Sequence, residues 1–354
     1  MLSENISLSF LSFISLLSFF VFFLISKFSN KIGNGILLDQ DFNKPQAFHS
    51  SSVPRSGGLA AIISFYIFFL FYYILFNKIN LEYVILASVM FLMGFVEDIK
   101  FDIKAIFRLV LMVIILLIFI NYFSININSI DLSFLNIWLK NDIFSIFFVL
   151  LCFLFIVNGS NLIDGFNGLL VIHMLIINTI LLLVNLEKNH DEIVIIIASQ
   201  IVVLISFLLF NFPKATIFSG DSGSYLFGSL VALNIIQTNN LNPEVSSFFF
   251  SVLLFYLFFE VFFSFFRKLI SGKSPLKPDR YHLHMLSYLY LEKSQKFKDS
   301  NYLNSLIINS IYFALIVPAL FFSDNGLLCK YWFFSLIVLY TLFYYLLYSF
   351  EKKQ

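Results

Sequence analysis

Long apolar runs separated by short polar stretches dominate the chain, and their length is that of membrane-crossing helices. A helix needs about 20 apolar residues to cross the hydrocarbon layer, and only helices or closed barrels satisfy their own backbone there. No period-2 alternation marks a barrel. Runs at approximately 6–26, 59–76, 82–96, 105–124, 143–158, 168–186, 193–210, 223–238, 246–266, 302–322 and 329–350 predict about eleven transmembrane helices. The expected fold is therefore all-α: a polytopic integral membrane helix bundle. The first run has no Lys or Arg before it, Lys27 and Lys31 after it and no small-residue cleavage pattern, so it reads as a retained span.

Basic residues give this bundle a direction. Of the 22 Lys and Arg, only Lys78, Lys140, Lys188 and Lys330 fall outside the loops that follow odd-numbered spans and the C-terminal tail. The positive-inside rule then sets the N-terminus outside and the C-terminus in the cytoplasm. The loops 27–58, 97–104, 158–168, 211–222 and 267–301 share the cytoplasmic face. No internal repeat or soluble segment interrupts the pattern, so residues 1–354 read as a single transmembrane domain.

Composition supports lipid as the solvent: 60% of residues are hydrophobic, 12% are charged and mean hydropathy is +0.91. A net charge of +1 gives no case for a nucleic-acid partner. Cys152 and Cys329 stand at no metal-ligand spacing and read as ordinary thiols.

The polar loops hold the candidate chemistry. Glu97 and Asp98 close the third run. An ionised carboxylate at mid-bilayer costs about 2.5 to 3.5 kcal/mol on insertion scales, so this pair belongs at the interface. It reads either as an ordinary acidic loop or as a Mg²⁺- or phosphate-handling pair, since hard cations take carboxylate oxygens. Asn158 to Leu169 holds Asn158, Asn161, Asp164 and Asn167. Capping of the next helix explains one of these, and hydrogen bonding to a nucleobase or sugar would use more. From Asn211 to Gly228, Asp221 and Ser222 read as caps. Alternatively, Asp221 supplies a metal oxygen, Lys214 a charge for phosphate and Phe218 a stacking face.

His282 and His284, two residues apart, read as a polar loop or, beside Lys273, Lys277 and Arg280, as diphosphate contacts. Glu260 invites a proton-relay reading or that of a neutral, hydrogen-bonded group. His173 reads as a packed polar residue. Residues Leu283 to Leu291, followed by Lys293, Lys296 and Lys298, read as a short helix on anionic lipid or a solvated loop.

Three of these stretches together resemble a family. Asn161-Leu162-Ile163-Asp164-Gly165-Phe166-Asn167-Gly168-Leu169, Phe212-Pro213-Lys214-Ala215 through Phe218-Ser219-Gly220-Asp221-Ser222-Gly223-Ser224, and Pro278-Asp279-Arg280-Tyr281-His282-Leu283-His284 are similar to the signatures of the polyprenyl-phosphate N-acetylhexosamine-1-phosphate transferases. These are related to the phospho-N-acetylmuramoyl-pentapeptide transferases. Leu38-Asp39, His49 and Val53-Pro54-Arg55-Ser56-Gly57-Gly58 resemble the family's N-terminal motif. Glu97, Asn167 and Met285 stand where relatives commonly have Asp, Asp and His.

The resemblance implies transfer of a sugar 1-phosphate from a UDP-sugar to undecaprenyl phosphate at the bacterial inner membrane, initiating a cell-envelope glycan. It implies Mg²⁺, with Mn²⁺ as the alternative, held by Asp221 and Asp98. Glu97, Asp98, Asp164, His282 and His284 are its implied catalytic residues. Asn161, Asn211, Lys214, Phe218, Arg280, His49 and Arg55 are its implied substrate contacts. The sugar, the choice of Glu97 or Asp98 as base, and direct or covalent transfer stay open, as does assembly into a homodimer. The rival from another class is a lipid-linked-sugar transporter or flippase, which tends to place its polar groups near the midplane. An aromatic prenyltransferase would carry two aspartate-rich motifs, which this chain lacks.

Overall fold

The structure is a computed structural model that describes residues 2–29, 31, 35–40, 52–101, 103–275, 277–294 and 299–352. Among these, helices α1 (Leu2–Phe28), α2 (Gly57–Phe76), α3 (Leu81–Asp98), α4 (Ala105–Tyr122), α5 (Ser133–Leu139), α6 (Asp142–Ile163) and α7 (Leu169–Glu187) form the first half. Then follow α8 (Asp191–Asn211), α9 (Gly220–Leu241), α10 (Ser247–Leu253), α11 (Phe255–Ile270), α12 (Leu283–Lys293), α13 (Ser300–Leu320) and α14 (Gly326–Lys352). One antiparallel pair, β1 (Leu38–Asp39) with β2 (Val53–Pro54), precedes α2 in register Leu38 to Pro54 and Asp39 to Val53.

Each of the eleven expected runs falls on a helix, but they are not alike. Eight helices are long and apolar enough to cross a membrane: α1, α2, α4, α6, α7, α8, α13 and α14. The expected span 246–266 is instead α10 and α11, bent by 72° at Leu254, which makes up to nine. The remaining two, α3 and α9, do not qualify on composition. The reasons differ: α3 carries Glu82 near its start and Glu97 and Asp98 at its end, whereas α9 is polar along its length because of its surroundings. α9 packs on α2, α3, α6, α7 and α8 and is buried along most of its length. A helix enclosed by protein need not be apolar all round, because protein groups can meet its polar side chains.

Those polar side chains form a ladder along α9. Asn234 donates to Asn178 Oδ1 on α7 at 3.1 Å and to Gln200 Oε1 on α8 at 2.8 Å, and it accepts from the Tyr83 hydroxyl on α3 at 2.9 Å. Further along, Asn185 donates to Thr238 Oγ1 at 2.9 Å and accepts from Asn242 at 3.3 Å. Interhelical hydrogen bonds of this kind contribute on the order of 0.6 kcal/mol each, so the ladder fixes the register of α9 more than it adds stability.

The ends of the helices matter most. The N-termini of α2, α7 and α9 and the C-termini of α3, α6 and α8 touch one another, as the contacts below show. Polar loops far apart in sequence therefore meet at one end of the bundle, with α3 and α9 running its length. α12 does not lie apart from the bundle as a surface helix. It packs on α13 and α14 and buries His284, Met285, Leu286 and Leu291. Lys296 and Lys298 lie outside the described residues.

Candidate active site

The start of α9 is the centre of the site, and three elements hold it. The chain from Pro54 to Gly58 runs alongside 218–219: Phe218 N–H donates to Pro54 O at 2.8 Å, Gly57 N–H to Phe218 O at 2.8 Å and Gly58 N–H to Ser219 O at 2.9 Å. α3 approaches backbone to backbone, because a Cβ on Gly94 would fall 2.3 Å from the Asp221 carbonyl. One turn later Asp98 completes the contact. Its Oδ1 accepts from Asp221 N–H at 2.9 Å and its Oδ2 from Ser222 N–H at 3.0 Å. A carboxylate on these unpaired amides is favoured by both hydrogen bonding and the helix dipole. Asp98 thus caps α9 from another helix.

Asp221 itself points outward and stays partly exposed, at 22%. Its Oδ1 accepts from Asn161 Nδ2 at 3.1 Å, and its Oδ2 lies 3.1 Å from Arg108 Nη1. The same guanidinium nitrogen lies 3.5 Å from Glu97 Oε2. Asn161 also donates to Ser224 Oγ at 3.1 Å, which fixes its amide. Asp164, just past the end of α6, accepts from the Ser219 hydroxyl. On the opposite rim Arg55 donates through Nε and Nη2 to Asp39 Oδ2 at 3.0 and 2.7 Å.

Five acids, Asp39, Glu97, Asp98, Asp164 and Asp221, and two guanidinium groups therefore share one small region, and their charges act on one another. Burial pushes the Asp98 carboxyl, just past its apolar run, up to about 7; the Asp221 charge adds to the rise, and bonds from Ser222 and the Arg55 charge oppose it. Burial likewise holds the Asp164 carboxyl well above the usual range, Asp221 and Asp98 adding while Ser219 and Arg55 pull back. An excess of acid in a desolvated place is relieved by a cation. Glu97 and Asp221, from different helices, already aim at a single cationic atom. Among the described residues no three His, Cys, Asp or Glu side chains form a ready cage. The two carboxylates of Glu97 and Asp221 are within the one or two that Mg²⁺ takes beside waters and substrate phosphates.

Other expected site residues stand further out. Asn211 is buried at the end of α8; its Oδ1 accepts from Gly168 N–H at 2.8 Å and its Nδ2 donates to Ile217 O at 3.0 Å. It staples the loop of Asp164 to the segment before Asp221. Asn211→Ala is expected to leave both backbone groups unpaired and to cost about 2 kcal/mol or more, read as a lower melting temperature. Lys214 and Arg280 are exposed, Phe218 is half-buried, and His49 lies outside the described residues.

His282 and His284 do not join the carboxylates. His282 Nδ1 lies 2.9 Å from Glu260 Oε1 and its Nε2 3.4 Å from Asp279 Oδ1. The Asp279 carboxyl is below its usual range, because Arg267 and His282 outweigh the opposing effect of burial. His284 Nδ1 lies 3.2 Å from the Tyr256 hydroxyl, and burial pushes its imidazole down to about 3. The link to the site is indirect: the His284 ring packs edge-on against Phe166, two residues after Asp164.

Residues 80–239, which run from the start of α3 almost to the end of α9, match the family model described as glycosyl transferase family 4. Over these residues the chain is similar to this family. The undecaprenyl-phosphate alpha-N-acetylglucosaminyl 1-phosphate transferase of Thermotoga maritima is 26% identical over 290 residues, 82% of this chain and 81% of that protein. The phospho-N-acetylmuramoyl-pentapeptide-transferase of Leuconostoc mesenteroides is 44% identical over 79 residues, 22% of this chain and 25% of that protein. That of Clostridium perfringens is 33% identical over 105 residues, 30% of this chain and 33% of that protein.

The resemblance of short motifs marks the acids and amides, but not everything that holds them. Arg108 is missing from the expected site although it bridges Glu97 and Asp221. Its signal was present: it is the lone charge in the apolar run 105–124, and an ionisable group inside a span marks a site by default. Glu260, bonded to His282, carried the same mark as the lone charge in the run 246–266, whereas Ser219, bonded to Asp164, carried none.

Proposed function

We propose that this protein transfers N-acetylhexosamine 1-phosphate from a UDP-sugar to undecaprenyl phosphate, releasing UMP and starting a cell-envelope glycan of the O-antigen, capsule or teichoic-acid type. The observation that carries the reading is the meeting of Glu97, Asp98, Asp164 and Asp221 with Asn161 and Arg108 at one end of a membrane bundle. The activity named for the Thermotoga maritima relative supports it. The basic loops support a site facing the cytoplasm of a multi-pass inner-membrane protein. There the lipid arrives sideways from the bilayer and the nucleotide from water.

In this reading an oxygen of the lipid phosphate attacks the sugar-linked phosphorus, a new P–O bond forms, and the bond to the departing UMP oxygen breaks. Both reactants are anionic, so positioning and charge neutralisation carry the catalysis. Of the acidic pair, Glu97 is the better placed to take a proton from the lipid phosphate, because Asp98 spends both oxygens on the backbone of α9. Asp221, beside Glu97, would hold Mg²⁺, which when bound would supply charge to the diphosphate, while Asp98 braces Asp221 from the backbone of α9. Asn161, Asp164 and Phe218 form the nucleotide side, and Asn211 braces the loops behind them. Arg55, Lys214, Arg280 and His49 supply donors and charge around the phosphates, and buried His282 and His284 position the segment that bears Arg280.

Purified protein with Mg²⁺, undecaprenyl phosphate and a panel of UDP-sugars tests this directly. UMP release with one N-acetylhexosamine donor is expected. No release with any donor, together with movement of a lipid-linked sugar across vesicles, would favour the flippase. Arg108→Gln is expected to lower kcat/KM by about 10- to 100-fold, the value of one or two hydrogen bonds to charged groups, with Arg108→Lys in between. Equal turnover in all three proteins would remove Arg108 from the site.

A further inference from the structure

Glu260 is the most enclosed carboxylate outside the acidic cluster, and every polar group around it points to one task. It lies on α11, 1% exposed. Oε1 meets His282 Nδ1 at 2.9 Å and accepts from Leu283 N–H, the first amide of α12, at 3.3 Å. Oε2 accepts from the Tyr340 hydroxyl on α14 at 2.5 Å. An ionised carboxylate can only accept, so His282 turns a protonated Nδ1 toward it. On its far side the ring faces Asp279, which Arg267 of α11 grips through two nitrogens at 2.8 and 3.1 Å. His284 stacks on His282 at 5.6 Å and packs on Phe166. A continuous series of contacts thus leads from Glu260 to the loop that bears Asp164 and Phe166.

We propose that Glu260 is a positioning residue of this enzyme: its carboxylate clamps the His282 ring and the start of α12, so that the Asp279–His284 segment is fixed against the α6–α7 loop. Exposed Arg280 lies within this segment, between Asp279 and Tyr281, so the clamp also limits where its guanidinium can reach. The link to turnover rests on the transferase reading; the clamp itself does not.

Hydrogen exchange and turnover of the full-length protein in detergent or nanodiscs test the two separately. Gln at 260 keeps the shape but offers one acceptor where three groups need one. Glu260→Gln is expected to raise exchange about tenfold at amides 279–286 and to lower kcat about tenfold, while KM for the UDP-sugar stays within about threefold. Glu260→Asp, shorter but charged, is expected to restore part of both. Wild-type exchange at 279–286 in Glu260→Gln overturns the proposal, and so does loosening spread evenly through the bundle. Should Glu260→Gln fail to fold, Tyr340→Phe removes only the bond to Oε2. A smaller rise in the same segment is expected, and no rise overturns the clamp. A local rise in exchange in a protein whose wild type releases no UMP would uphold the clamp and sink the transferase reading.

Discussion

Asp221→Asn is expected to reduce UMP release roughly a thousandfold, the scale seen when a preorganised charge-stabilising group is removed, while the protein stays folded. The backbone of residue 221 keeps its bond to Asp98, and an amide oxygen can still accept from Asn161. What changes is the atom facing Arg108 and any bound cation: one carboxylate oxygen becomes an NH₂ group in half of the possible orientations, and the charge is gone. With the side chain 22% exposed, water relieves the mismatch, so the melting temperature should move by only a few degrees. Near-normal turnover in the variant would remove Asp221 from the chemistry and with it the metal assignment.

Gly220→Ala should do more harm to the fold than any change of charge in the site. Gly220 has φ +71, where an L-residue costs about 1 to 2 kcal/mol. The new methyl carbon would lie 2.4 and 2.6 Å from the two Asp98 oxygens. Asp98 is buried and has nowhere to retreat, so its bonds to Asp221 and Ser222 would be lost, at about 1.5 to 3 kcal/mol each. Thermal unfolding should drop by several kcal/mol equivalent, with UMP release falling at least a hundredfold as Asp221 loses its support. A variant that melts and turns over like the wild type would mean that Asp98 does not cap α9.

Much of this was legible in the chain because lipid imposes one simple rule on sequence. Runs of apolar residues mark helices that meet hydrocarbon, and each expected run was found on a helix. α9 shows where the rule weakens. Its core positions carry Ser229, Asn234 and Thr238 because neighbouring helices, not lipid, surround them. Apolar length therefore identified it as a helix but not as the centre of the bundle. The site was legible in its residue types and less so in their tasks. Asn211 resembles a nucleotide contact, yet both of its polar atoms are bonded to backbone, and an amide looks the same in sequence whichever it serves. Asp98 resembles a base and caps a helix 123 positions away. Glu260 finds His282 22 positions on, across a loop. No local spacing encodes such pairings, because they depend on how α11, α12 and α14 come together.

The ladder that pins α9 is made of amides and hydroxyls, groups that neither gain nor lose a charge by titration near physiological pH and carry no net charge for a voltage to pull. An energised bilayer imposes both a proton gradient and a potential on whatever crosses it. Asn178, Asn185, Gln200, Asn234, Thr238 and Asn242 answer to neither, so the alignment of the helix that carries Asp221 should hold steady while the cell's energy state rises and falls.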